Sequence, residues 1–259
     1  MEVISRWVDV PSENGRMAVF VAEPQEPGRY PGLAYFHIVL GMNAQHRSIA
    51  ERLASEGYVV AAPDLYHRLS YRTEFRYPEE YEQASKARGT QTDYGLAADS
   101  RLALNLLREL PNVDPDRLGT IGYCGGGTVA LLAGCFHGDV RAVVAMYGGG
   151  LSSLDTTPRR PVPPLQLAAS LKAPVLSISG AADRNPSPAD VRVAAATMEK
   201  LGKSFEYHIW DGDPPAGHAF FDADLPDRHN AAAVEWAWPI KLDFLRRNLK
   251  EASVTASAG

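Results

Sequence analysis

The chain has 259 residues, 45% of them hydrophobic and 22% charged, with a formal net charge of −5. That is the balance of a globular protein long enough to bury a substantial core, and the acidic excess argues against a nucleic-acid partner, which would need a basic face. No apolar run approaches the length of a membrane span and the N-terminus lacks a secretory apolar region, so the expected location is the cytoplasm. Two cysteines, Cys124 and Cys135, make a disulfide framework implausible, and no Cys/His cluster has the spacing of a metal site.

In chain order, residues 3–10 and 16–23 are strand-length runs separated by the turn formers Pro11 to Gly15, which predicts an antiparallel hairpin. Leu33 to Leu40 is too continuously apolar for a half-exposed strand and reads as a central one covered on both faces. Asn43 caps a helix with Ile49, Ala50, Leu53 and Ala54 on one side, Gly57 ends it, and Tyr58 to Ala62 is the next buried strand. This alternation predicts an α/β fold: a mostly parallel central sheet with helices on both faces.

From Tyr66 to Tyr94 the pattern loosens into tyrosines, arginines and acids, either a solvated excursion or a partly helical flap; residues 66–95 are the candidate flap. An amphipathic helix with Leu102, Leu106 and Leu110 leads into the strand Arg117 to Ile121. A further strand spans Val140 to Tyr147, and residues 148–171, with Pro158, Pro161, Pro163 and Pro164, are expected to be irregular. Strands at Pro174 to Ser179 and Phe205 to Trp210 flank a helix that starts at Ser187. A closing helix from His229 to Leu249 contains Pro239, where a kink or break is expected. Residues 1–250 are read as one domain and 251–259 as a flexible tail.

The chemistry centres on Gly122-Tyr123-Cys124-Gly125-Gly126-Gly127. A nucleophilic atom on a sharp strand-to-helix turn crowded by glycines is the nucleophile-elbow arrangement, with Cys where Ser usually stands. The glycines relieve steric conflict at the turn, and the N-terminus of the next helix favours thiolate over thiol. A phosphate cradle is the alternative, but Gly122-Tyr123-Cys124 breaks the dinucleotide pattern. Functional groups of doubly wound sheets gather at the carboxyl ends of the strands, where Cys124, Asp183 and His218 follow in the order nucleophile, acid, histidine. They are the candidate catalytic triad. His46, His67, His137, His208 and His229 read as surface or packing residues, and Cys135 as a core filler.

With Gly57 to Tyr66, Gly180-Ala181-Ala182-Asp183 and His218-Ala219-Phe220-Phe221, the elbow resembles the dienelactone hydrolase family over residues 16–249. The resemblance implies an α/β-hydrolase domain, no cofactor, and hydrolysis of lactones or small esters through a cysteine acyl-enzyme. Two departures stand out. Ile38 occupies the place of an acid that contacts the resting thiol in the family. Asp222 replaces an arginine that grips the substrate carboxylate, which argues against dienelactone itself as substrate.

The N–H groups of Gly125 and Val39 are the candidate oxyanion hole, and His37, Ile38, Tyr123, Tyr147 and Phe220 the candidate substrate-binding residues. A pocket so lined would be neutral and aromatic, with Arg68, Arg72, Arg76 or Arg88 of the flap available to bind a carboxylate. The expected partner is a small-molecule ester or lactone, with neither nucleic acid nor membrane, in a monomer or homodimer. An acyl transferase or thioesterase using the same triad, a non-catalytic binding protein and a thiol redox sensor are the competing readings.

Overall fold

The computed structural model describes residues 1–13, 15–150 and 152–251. Its centre is an eight-stranded sheet in the order β1-β2-β4-β3-β5-β6-β7-β8. The strands are β1 (Val3–Ser12), β2 (Gly15–Pro24), β3 (Tyr30–Phe36), β4 (Val59–Pro63), β5 (Val113–Tyr123), β6 (Ala142–Met146), β7 (Val175–Gly180) and β8 (Phe205–Trp210). The first two form the expected hairpin, β2 pairs antiparallel with β4, and every other pairing is parallel. Strands β4, β6 and β7 are buried along their whole length, as strands covered on both faces must be.

Alternate residues of the sheet feed two separate cores. Tyr35, Val60, Ile121 and Met146 pack with helix α1 (Ala44–Ser55) and the closing helix on one face. Ala34, Ala61, Val143 and Val175 pack on the other with α3 (Asp93–Glu109), α4 (Gly125–Phe136) and α6 (Pro188–Lys200). Between β4 and α3 the flap folds into a helix of its own, α2 (Tyr81–Thr90). The segment 148–171 is less irregular than its prolines suggested, since Pro164–Leu167 forms the short helix α5, started by prolines that need no N–H donor there. Of the expected tail, all but Glu251 lies outside the described residues.

Local signals account for the helix ends. Asn43 accepts from the N–H of His46, and Ser187 and Asp190 form a capping box at α6. The closing helix, α7 (Ala231–Leu245), runs through Pro239 without a break. Pro239 and Glu235 are exposed, so the carbonyl that loses its helical partner faces water, while Ala237, Trp238, Phe244 and Leu245 hold the buried side.

Strand β3 ends at Phe36, four residues short of the apolar run. A Cβ on Gly126 would lie 2.1 Å from the carbonyl oxygen of Phe36 and 2.6 Å from that of His37, so the first turn of α4 abuts the end of β3. Beyond that point the chain turns, with the N–H of Gly41 donating to the Ile38 carbonyl at 3.2 Å. Ile38, Leu40 and Met42 remain buried, which is why a loop carries the hydrophobicity of a strand.

Gly126→Ala forces backbone against backbone and is expected to cost about 3 kcal/mol, seen as a lower urea midpoint with an unchanged slope.

Candidate active site

Strand β5 delivers Cys124 to the elbow and α4 leaves it one residue later. Cys124 sits at φ 55° and ψ −125°, a conformation that costs energy for a residue with a side chain. It is pinned on both sides, its N–H donating to the Met146 carbonyl at 3.0 Å and its carbonyl accepting from the N–H of Gly127 at 2.9 Å. A Cβ on Gly122 would fall 2.0 Å from the carbonyl oxygen of Gly126, so the turn closes only around glycine.

The three residues picked from the sequence converge on this point. His218 Nε2 lies 2.9 Å from Cys124 Sγ, and His218 Nδ1 donates to Asp183 Oδ2 at 3.0 Å. Buried Asp183 is itself oriented by the N–H of Asn185, which donates to Oδ1 at 2.8 Å. Burial alone would push the Cys124 thiol up. The hydrogen bond and charge of His218, the N–H of Gly125 and the Arg88 guanidinium outweigh it and bring the thiol below its ordinary value. For His218 burial acts downward, but Asp183 and Cys124 raise its pKa to about 10. Both shifts favour thiolate on Cys124 and imidazolium on His218. The N–H of Gly125 lies against Sγ, and Val39 sits in the turn that follows β3, its carbonyl accepting from the Tyr66 hydroxyl at 2.8 Å.

The walls of the cleft are not the aromatic ones expected. The opening at Cys124, about 520 Å³, is framed by Arg88 of α2, Gly149, Ser153 and Arg160 of segment 148–171, Asn185 and His218. Neither His37, Ile38, Tyr123, Tyr147 nor Phe220 lines it. All five are buried. His37 Nδ1 lies 2.6 Å from the Ile38 carbonyl, its Nε2 accepts from the N–H of Leu65, and burial lowers its pKa to about 3. Tyr123, Tyr147 and Phe220 stack on one another beneath the elbow. Residues near a nucleophile in sequence turn inward here, because the strand ends and the loop after His218 must fill the core below the turn.

The flap and the segment 148–171 supply the walls instead, and they are tied together. Arg159 Nη1 donates to the Gly89 carbonyl at 2.6 Å, the N–H of Asp93 donates to the Arg159 carbonyl at 3.0 Å, and Arg160 pairs with Asp93 at 3.4 Å. Of the four flap arginines only Arg88 reaches the site. Arg68 is held by Asp99, Arg72 lies over Trp7 and Arg76 pairs with Glu80. Arg88 donates to Gln91 and toward the Gly125 carbonyl, and no carboxylate among the described residues lies within ion-pair distance of it. Burial pulls its pKa below the ordinary guanidinium value. A half-buried cation with no ion-pair partner among the described residues stands beside the nucleophile.

Asp222 does not face the cleft. It is fully buried, 3.4 Å from His46, which in turn contacts the Tyr35 hydroxyl. Nearby, fully buried Lys241 donates to the Tyr123 hydroxyl at 2.7 Å and lies over the rings of Trp238 and Phe221. These groups brace the elbow from below, since Tyr123 precedes the nucleophile and Asp222 follows His218 by four residues. Sequence reasoning passed over Lys241. Its position on the stripe of Ala237, Trp238, Phe244 and Leu245 was the available signal.

A mostly parallel sheet with Cys124, Asp183 and His218 beyond the ends of β5, β7 and β8, closing on a strained elbow, defines an α/β-hydrolase fold. The family is more specific: the dienelactone hydrolase family model matches residues 17–249, and the chain belongs to that family. A Synechocystis protein named "Putative carboxymethylenebutenolidase" is 29% identical over 96% of this chain and 99% of its own length. A Bradyrhizobium protein named "Probable 2-oxo-3-(5-oxofuran-2-ylidene)propanoate lactonase" is 31% identical over 94% of each. The fold is shared with a crystal structure titled "Putative Dienelactone Hydrolase" from Klebsiella pneumoniae, with a TM-score of 0.82 at 24% identity over 95% of this chain and 100% of that one. The chain is thus a hydrolase of the dienelactone hydrolase family.

Two outcomes are expected. Iodoacetamide should alkylate Cys124 with a pH inflection below the ordinary thiol value of about 8.5, and His218→Ala should move that inflection upward. Cys135, raised by burial to about 12, should stay silent. Burial holds Lys241 well below the usual lysine value, so the folded state binds fewer protons than the unfolded one and stability falls as pH drops below about 10.4. Relative to Lys241→Met, the parent should therefore lose stability between about pH 10 and pH 7 in urea titrations.

Proposed function

We propose that the protein hydrolyses an ester or lactone whose acyl half carries a carboxylate, through an acyl-enzyme on Cys124. The observation that carries this reading is the line from Asp183 through His218 to Sγ, with contacts of 3.0 and 2.9 Å, beside an arginine that pairs with no carboxylate among the described residues. The thiolate attacks the carbonyl carbon, and the developing oxyanion is met by the N–H of Gly125 and that of Val39. Collapse expels the alkoxide, which takes the proton from His218 Nε2. His218 then removes a proton from water as it attacks the thioester, and the thiolate leaves. Asp183 holds the imidazole in the tautomer both steps need.

Arg88 supports a carboxylated substrate because it lies against Gly125, where a Cβ would meet its Nε at 2.7 Å. An anion arriving there would recover the solvation that burial removes. The names of both relatives denote lactones that bear a carboxylate. Arg88 and His218 also lower the thiol pKa, so Cys124 is activated without the acid that Ile38 replaces.

The test is burst kinetics with p-nitrophenyl pentanoate and the p-nitrophenyl monoester of glutarate. A burst followed by turnover is expected with the parent and neither with Cys124→Ala. Arg88→Gln should lower kcat/KM for the glutarate monoester about 10-fold more than for the pentanoate. An equal loss for both would remove the carboxylate from the proposal, and turnover surviving in Cys124→Ala would remove the acyl-enzyme.

A further inference from the structure

A second, larger cavity of about 890 Å³ opens on the other side of His218. It shares His218 and Asn185 with the cleft at Cys124 but does not reach Cys124 or Gly125. The imidazole therefore stands between two spaces, one holding the nucleophile and the other only the proton donor.

The order of bonds in ester cleavage says what such a partition is for. The acyl carbon must sit on Sγ, so the acyl half occupies the cleft that contains Cys124. The leaving oxygen must lie within hydrogen-bond reach of His218 Nε2 to take its proton, so whatever that oxygen carries extends past the imidazole. When the Sγ–C bond has formed and the C–O bond breaks with its electron pair on oxygen, the alcohol half is already on the side of the second cavity. This assignment rests on the acyl-enzyme reading above.

The lining states the class of group that fits. Pro214 and Pro215 give one apolar wall. Two arginines face it: exposed Arg184, which makes no hydrogen bond or ion pair among the described residues, and Arg228, held over the rings of Tyr77 and Tyr81. The acids are committed elsewhere, Asp183 to His218, and Asp227 to the Tyr77 hydroxyl at 2.9 Å and to Arg228 at 3.8 Å. The balance left to a ligand is cationic. We propose that this cavity is a leaving-group site for the alcohol half of an open-chain ester, and that it selects an alcohol bearing a carboxylate on a flat or apolar body, read by Arg184.

The probes are 3-acetoxybenzoate and its neutral counterpart 3-acetoxybenzamide, whose acetyl group makes no demand on Arg88. The parent should favour the benzoate about fivefold in kcat/KM, the scale of an exposed ion pair. Arg184→Glu should abolish or reverse that preference, and Arg88→Gln should retain it. Equal rates in the parent, or a preference that survives Arg184→Glu or disappears in Arg88→Gln, would overturn the proposal.

The acyl-enzyme reading is judged separately, by whether the benzamide ester gives a burst that Cys124→Ala lacks. Binding of 3-hydroxybenzoate to Cys124→Ala, measured by calorimetry, decides the site even if no ester is cleaved. It should weaken about fivefold on adding Arg184→Glu, and unchanged binding would count against it.

Discussion

Everything in this molecule that bears on chemistry depends on the close contact of backbones at the elbow. The first turn of α4 presses on the end of β3 and on its own strand β5, with only glycine hydrogens between them. That contact holds Cys124 in a strained conformation, turns the N-terminus of α4 toward Sγ, and brings the turn carrying Val39 alongside. The strain is sustained because the surroundings leave no alternative. Met146 and Gly127 fix the backbone of Cys124, and the aromatic layer of Tyr35, Tyr123, Tyr147 and Phe221 fills the space below.

The same layer explains a division of labour between the two sides of the turn. Below it, polar groups are buried, Asp222 against His46 and Lys241 against Tyr123, while the Tyr147 hydroxyl makes no hydrogen bond among the described residues. Asp222 stands where family members acting on dienelactone have an arginine, yet it faces away from the opening. Above the turn, positive charge comes from segments outside the sheet, Arg88 from the flap and Arg160 from the crossing between β6 and β7. Anchorage between these segments, through Arg159, Arg160, Gly89 and Asp93, makes the site depend on two loops folding against each other.

Charge also sets the resting state of the nucleophile. A thiol this enclosed would ordinarily stay protonated. Here His218, the N–H of Gly125 and the Arg88 guanidinium together favour the thiolate.

By itself the sequence determined the sheet, the elbow and the three residues that meet there. Those signals are local: continuous apolar runs for covered strands, glycines where a turn admits no side chain, and strand-end positions that topology gathers on one edge. Even the helix start at Ser187 and the break in pattern after Tyr66 were readable residue by residue. The direction in which side chains near the nucleophile point was decided only by the tertiary structure. Tyr123, Tyr147, Phe220 and His37 look like pocket residues because they adjoin the site in the chain, but the void beneath the elbow takes them first. Arg88 could not be told from Arg68, Arg72 or Arg76, since the choice depends on which of them finds a distant acid: Asp99 is 31 residues from Arg68, and no such acid meets Arg88 among the described residues. Periodicity reports which face of an element is buried, whereas the walls of a cleft are set by contacts between segments that have no periodicity to read.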